Sequence, residues 1–250
     1  MGEEGAMLAL VNTANSDELL AALGARLAAG EGFSVATLNL DHLVKLRSDP
    51  EFRRAYQEHS HVVADGWPVV LLRWLAGQPV NLVPGSDLVG PLMAHAVRLR
   101  VPVGFVGSTD TALTRAAAAL EAEYPGLDVV ARISPPFGLD PEGPEADAAL
   151  DALAASGARL CLLALGAPRQ ERLAARARAR LPGCGFVSVG AGLDFVAGSQ
   201  RRAPRWMRRS GLEWLWRMLN DPRRLAWRYL RCAMILPSLT GAALRIRRHG

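Results

Sequence analysis

The sequence predicts an α/β fold, a largely parallel sheet flanked by helices and followed by an arginine-rich helical tail. Three observations carry that prediction. Short apolar, β-branched runs recur between Phe33 and Val189, longer Ala/Leu/Arg segments separate them, and no strand candidate follows Gly198. Strands that are apolar throughout are those covered on both faces, and strand–helix alternation of this length calls for parallel crossovers. In such a fold the ligand site lies beyond the carboxyl ends of the strands.

The strand candidates are FSVATLNL (33–40), HVVA (61–64), VPVGFVG (101–107), LDVVARI (127–133), ARLCLLAL (158–165) and GFVSVG (185–190). Helix candidates lie between them at 86–99, 109–124, 144–156 and 168–181, the second with Ser108 and Thr109 as cap candidates. The result is a Rossmann-like arrangement over residues 1–198. Residues 199–250 read as a run of helices broken by Pro204, Gly211, Pro222 and Pro237, and Asp221 followed by Pro222 is a cap-plus-first-turn signature. The sheet is expected to stay folded without this tail.

At 250 residues, half of them apolar, the chain is long enough to bury a sizeable core. Its positive charge is almost entirely arginine, because Lys45 is the only lysine among 29 Lys+Arg residues. Arginine gives planar, bidentate, permanently charged contacts to phosphate or carboxylate. Residues 201–250 hold 13 arginines against Glu213 and Asp221, a net of +11, so the overall +5 leaves −6 for residues 1–200. The positive surface is therefore the tail, and the body is mildly acidic. Cys161, Cys184 and Cys232 are widely spaced, with no CxxC and no histidine at metal-ligand spacing. Neither a disulfide framework nor a zinc site is suggested, and a reducing cytoplasm fits. MGEEGAMLAL carries two acids where a signal peptide needs positive charge, and AMILPSLTGAAL is too short and interrupted to span a bilayer. Any membrane encounter is expected to be peripheral.

Four strand ends carry polar residues. ATLNLDH leaves Thr37 and Asn39 two apart on one face of an apolar strand, where they need hydrogen-bond partners. A strand-end turn with Asn as a backbone mimic explains them equally well. HVVADGWP sets Asp65 straight after a strand and beside Gly66. A helix N-cap is the ordinary explanation, and a carboxylate facing a cleft there is a candidate general base for a hydroxyl nucleophile. GFVGST and LALGAPRQE both read strand, glycine, helix start, which makes Gly107 and Gly166 candidate phosphate-binding turns. Neither GxGxxG nor GxxxxGKS/T is present, so dinucleotide and P-loop readings lose. Pro168 opens a helix, followed by Arg169, Gln170 and Glu171 as three long polar side chains at the mouth of the sheet. A capped helix with solvated charges explains Pro168 and Glu171 but not all three. SVGAGLDFVAG places Asp194 between Leu193 and Phe195, as a cap or as a contact to sugar or ribose hydroxyls.

In this order TLN, ADG, GSDL, GAPRQE, GAGLDFVAG, RAPRWM and GLEWLWRMLNDPRRLAWRY resemble the WecG/TagA/CpsF family of bacterial glycosyltransferases, from about residue 33 to residue 230. The resemblance implies inverting, metal-independent transfer of a sugar from a UDP-sugar to a polyprenyl-diphosphate-linked monosaccharide. The product would enter a cell-surface polysaccharide of exopolysaccharide, teichoic acid or enterobacterial-antigen type. The enzyme would be cytoplasmic and peripheral on the inner face of the membrane, with no cofactor. Carried over residue by residue, the resemblance implies Asp65 as base and Thr37 and Asn39 as positioning groups for the acceptor sugar. Gln170 would contact the reacting sugars, and Gly107, Gly166, Arg169, Glu171 and Asp194 would hold the donor nucleotide. There are two departures. Members commonly place an Arg three residues before the Gly of G.DL, where this chain has Leu82, and SPPFGLD (134–140) replaces a more usual aromatic-rich loop.

In a helix starting at Pro222, Arg224, Arg228 and Arg231 fall at i, i+4 and i+7, with Leu225, Ala226, Tyr229, Leu230 and Ala233 on the packing side. Glu213 and Arg217 are also i, i+4, as in a surface ion pair worth about 0.2–0.5 kcal/mol. Arg217, Arg224 and Arg228 are expected to face the acceptor diphosphate, with the tail on an anionic membrane. The rival classes are a nucleic-acid binder, since Arg and Trp suit phosphates and stacked bases, and a non-catalytic membrane scaffold. The acidic body argues against nucleic acid, and the polar strand ends argue against a scaffold. The oligomeric state, a homo-oligomer included, is left open.

Overall fold

The computed structural model describes residues 2–204, 206–207 and 211–249, apart from the side chains of residues 224 and 249. Strands β1 (Phe33–Leu38), β2 (His61–Ala64), β3 (Val103–Gly107), β4 (Val129–Ile133), β5 (Leu160–Ala164) and β6 (Gly185–Ser188) form one sheet in the order β2-β1-β6-β5-β3-β4. Every pairing is parallel. All six predicted strands are present, each within the predicted bounds. The first ends at Leu38 because Asn39 already caps a helix.

Side chains alternate across the sheet and fill two layers. Phe33, Val35, Phe105 and Val187 pack against α2 (Ser16–Ala29), α6 (Gly85–Leu99) and α7 (Asp110–Glu123). On the opposite face Ala36 and Leu38 meet α1 (Glu3–Leu8), α3 (Leu40–Leu46), α4 (Pro50–Glu58) and α5 (Trp67–Leu75). Also on that face, Cys161, Leu163 and Phe186 meet α8 (Pro144–Ala155) and α9 (Arg169–Arg180). The predicted helices α6 to α9 are present, and Thr109 caps α7 by accepting from the Ala112 N–H at 3.2 Å. Helices α1 to α5 are not among the helix candidates of the sequence. Local chemistry still accounts for two of them: Asn15 accepts from the Glu18 N–H at 2.9 Å to open α2, and Asp49 with Pro50 opens α4.

Beyond β6 come α10 (Gly192–Val196), α11 (Glu213–Asn220) and α12 (Pro222–His249). The predicted start at Pro222 holds, but the predicted break at Pro237 does not, since α12 runs through it. Proline removes one helical hydrogen bond. Leu225, Cys232, Ile235, Leu239 and Ala243 form a buried stripe on both sides of Pro237 and hold the two halves against α1, α3 and α5. Seating on this stripe corrects the predicted packing side, because Ala226, Leu230 and Ala233 face solvent.

The connections decide where the sheet opens. β3 leads through α7 on one face to β4, and β5 leads through α9 on the other face to β6 in the opposite direction. The crevice between the carboxyl ends of β3 and β5 is a topological switch point, where open α/β sheets take their ligands.

Candidate active site

Asn39 and Asp65 occupy equivalent places at the ends of β1 and β2. The register pairs Thr37 with Val63 and Leu38 with Ala64, and the Asp65 N–H donates to Leu38 O at 2.8 Å. Asn39 Oδ1 accepts from the His42 N–H at 3.1 Å, so the backbone-mimic reading of Asn39 holds. The same side chain also favours the charged form of the Asp65 carboxyl. Asp65 does not cap α5, whose N-cap is Gly66 with no side-chain cap bond. Burial pushes the Asp65 carboxyl up to about 6, against Arg217, with Glu213, against Asn39 and with Asp87. An acid with that titration is ionised at neutral pH yet still basic enough to accept a proton.

A buried polar wall backs this pair. Tyr56 Oη lies 2.5 Å from His42 Nδ1 and donates to Thr37 O at 3.3 Å, tying α4 to the strand end that carries Asn39. Burial, more than the Lys45 charge, lowers His42 to about 3, so its ring is neutral. Thr37 itself is buried beneath Gly85, the first residue of α6. A Cβ there would meet Ser188 O at 2.7 Å and Thr37 Cγ2 at 3.3 Å. Lys45 Nζ pairs with Asp41 at 2.7 Å and donates to Ala167 O at 3.1 Å, joining α3 to the β5–α9 loop.

The GAPRQE turn departs from expectation. Arg169 is partly exposed, with its guanidinium 5.8 Å from the centroid of the fully exposed Phe137 ring. Gln170 and Glu171 are buried rather than at the mouth of the sheet. Gln170 Oε1 accepts from the Gly166 N–H at 3.3 Å and its Nε2 donates to Glu171 Oε1 at 2.8 Å, so the amide braces the turn from inside. Glu171 Oε2 has no hydrogen-bond partner. Burial pushes this carboxyl up to about 7, against the Gln170 hydrogen bond and the Lys45 charge.

The crevice between β3 and β5 is built on Gly107. Its φ of 113° suits glycine, and a Cβ would meet Ala164 C and O at 2.5 Å, so the two strand ends approach as only glycine allows. Gly166, at φ 70°, has open space around its Cα. Ser108 follows at φ 54° and its Oγ donates to Asp194 Oδ1 at 2.5 Å. Gln200 Nε2 donates to Asp194 Oδ2 at 3.2 Å and the Ser199 N–H to Asp194 O at 3.0 Å. Asp194 thus fastens the α10–tail turn to the crevice rather than capping a helix.

Tail arginines reach the rim. Arg217 pairs with Glu213 at 2.6 Å, as the spacing predicts, and its guanidinium also lies 6.0 Å from the Phe195 ring centroid. Arg228 Nε lies 3.0 Å from Asp41 Oδ1. It falls on the Leu225–Cys232 side of α12, whereas Arg231 is exposed, so the expected arginine stripe is split between two sides. The side chain of Arg224 lies outside the described residues. Arg202, not among the residues singled out from sequence, pairs with Asp87 at 2.5 Å and lies 5.7 Å from the Phe195 ring centroid. Lys45 and Tyr56 were missed as well, although the uniqueness of Lys45 among arginines was a visible signal.

An open parallel sheet whose polar groups gather over its carboxyl edge, with an acid at a strand end and arginines along the rim, is the layout of an α/β enzyme. The glycosyl transferase WecG/TagA/CpsF family matches residues 7–249, so the chain belongs to that family and is a glycosyltransferase. Among the described residues no helix is long and apolar enough to cross a membrane.

Proposed function

We propose that this glycosyltransferase moves a sugar from a UDP-sugar to a polyprenyl-diphosphate-linked monosaccharide on the inner face of the cell membrane, with inversion and without a metal. The observation that carries this reading is Asp65, set at the end of β2 beside the end of β1 that carries Asn39, and raised to about 6 by burial. Asp65 takes the proton of the acceptor hydroxyl as its oxygen attacks the anomeric carbon. The bond to the UDP oxygen breaks, and UDP leaves with the electron pair. Asn39 keeps Asp65 aimed, and Thr37 shapes the wall behind the acceptor sugar.

The donor diphosphate lies at the Gly107 and Gly166 turns, where Arg169 offsets its charge, and Asp194 borders the nucleotide. Gln170 and Glu171 act from beneath by fixing the Gly166 turn. Arg217 and Arg228 serve the acceptor diphosphate. Leu82 runs beside Ala64, next to Asp65, and the charge that family members commonly carry at that position is supplied here by Arg202 and Arg217. The exposed rings and arginines of the tail hold the protein on an anionic leaflet. A screen of UDP-sugars against a lipid-diphosphate-sugar analogue, read as UDP release with and without EDTA, tests the reading. Release that needs both substrates and survives EDTA supports it, and release restored only by Mn²⁺ or Mg²⁺ contradicts the metal-free step.

A further inference from the structure

α5 is apolar on both sides. Val69 and Leu72 face the core that Ile235 and Leu239 of α12 share, while Trp67, Leu71 and Trp74 recur at i, i+4 and i+7 and are 45%, 55% and 60% exposed. The single charged residue of the helix, Arg73, is turned inward. Its Nη1 donates to Leu8 O at 3.1 Å and to Gln78 Oε1 at 2.7 Å. A helix apolar all round belongs inside a protein or in lipid, and among the described residues Leu71 and Trp74 on the outer side of α5 are more than half exposed while Trp67 lies against Gly211. α12 packs directly against α5 and exposes its own apolar stripe of Trp227, Leu230 and Met234. Exposed Arg223 and Arg231 border that stripe, and the Arg247 stem passes the far end of α5 at Gly77.

We propose that the outer face of α5 docks on an anionic bilayer, with Trp67, Leu71 and Trp74 entering the boundary between headgroups and acyl chains beside the outer stripe of α12. This rests on the membrane reading above and extends it from the tail to the catalytic body. The occupant follows from the charge pattern. An apolar strip with no charged side chain on its outer face, bordered by arginines on the neighbouring helix, is complementary to a surface that is anionic outside and apolar beneath. Indole rings favour that boundary. The consequence is positional: Asp65 lies two residues before Trp67, so docking α5 sets the mouth of the site at the depth of headgroup phosphates.

The two contributions differ in their response to salt. Arginine attachment is screened by added salt, whereas apolar insertion is not. Co-sedimentation of the full chain with phosphatidylglycerol/phosphatidylcholine vesicles at low and high NaCl therefore separates them. The Leu71→Gln/Trp74→Gln variant, which leaves Trp67 against Gly211 untouched, is expected to bind about tenfold or more weaker and to lose the salt-resistant part of binding. A Trp227→Gln/Leu230→Gln/Met234→Gln variant reports the tail separately. If the tail variant is released while the α5 variant binds as the parent does, the α5 proposal is overturned and the membrane reading stands. If the parent ignores the vesicles, both fail. A parent that is dimeric in sedimentation velocity, with an α5 variant that is monomeric yet still vesicle-bound, assigns the face to a second copy of the chain and overturns the proposal. A chain keeping Trp74 as its sole tryptophan, the other five changed to Phe, bypasses the double variant. Quenching by brominated lipid supports the proposal, and absence of quenching overturns it.

Discussion

The Asn39 amide joins two jobs, capping α3 through Oδ1 and lowering the pKa of Asp65 at the end of the neighbouring strand. One side chain therefore sets both the path of the β1–α3 loop and the basicity of the acid. Asn39→Ala removes a group that favours the charged form, so the pKa of Asp65 moves further up and the acidic limb of the kcat/KM profile moves to higher pH. Loss of a polar contact to a charged group corresponds to about tenfold in kcat/KM. Arg217→Ala should move the same limb upward and Glu213→Gln should move it downward, since Arg217 lowers and Glu213 raises the Asp65 pKa. Both side chains lie near solvent, so both shifts should shrink with added salt. Profiles unmoved by all three changes would contradict the assignment of that limb to Asp65.

Tyr56→Phe should separate support from chemistry. It leaves the buried His42 Nδ1 without its partner, which costs about 1–3 kcal/mol of stability. It also frees Thr37 O, so the strand end that carries Asn39 loosens and kcat falls while donor affinity holds. Chemical denaturation with calorimetric donor titration measures both, and an unchanged unfolding midpoint would contradict the structural role.

Glu171 makes stability depend on pH. A buried carboxyl raised from 4.5 to about 7 stabilises the fold below its unfolded value, and that stability is lost as pH rises through 7. The penalty at pH 8 is about 3 kcal/mol as an upper bound. Glu171→Gln keeps the shape and does not ionise, so its melting temperature relative to the parent should improve by several degrees from pH 5 to pH 8. A difference that does not change with pH would mean that Glu171 stays charged in the fold.

The sheet was legible because parallel strands covered on both faces leave largely apolar runs, interrupted only by such residues as Arg132 on the edge strand β4 and Ser34 and Thr37 on β1. α5 was not, because WPVVLLRWL is apolar all round and shows no helical period. Pro237 misled for a different reason, since the buried stripe on both sides of it outweighs one missing hydrogen bond. At the site, Asp65 and Asn39 could be read because a polar residue at the end of an apolar strand stands out. The inward turn of Gln170 and Glu171 was hidden, because a helix's first turn shows in sequence which residues it holds but not which side the sheet covers. Tyr56 gave no signal, as its partners His42 and Thr37 O are 14 and 19 residues away.

The tail supplies core as well as charge. Leu225, Cys232, Ile235, Leu239 and Ala243 are buried with residues of α1, α3 and α5. Truncation after Gly198 should therefore expose that layer, at about 1.5–3 kcal/mol for each large side chain, and lower solubility and melting temperature. A truncated protein as stable as the parent would show that the core closes without α12. Charge variants at Arg217 and Arg228 are the cleaner test of acceptor binding, because they leave the buried stripe in place.

The most direct measurement is single-turnover UDP release by Asp65→Asn with saturating UDP-sugar and lipid-linked acceptor, alongside calorimetric donor binding. Removal of a general base predicts donor affinity close to that of the parent and a rate about 10²–10⁴ lower, no longer rising with pH near 6. A variant that binds donor equally well and turns over at the parental rate with the parental pH profile would place the base elsewhere.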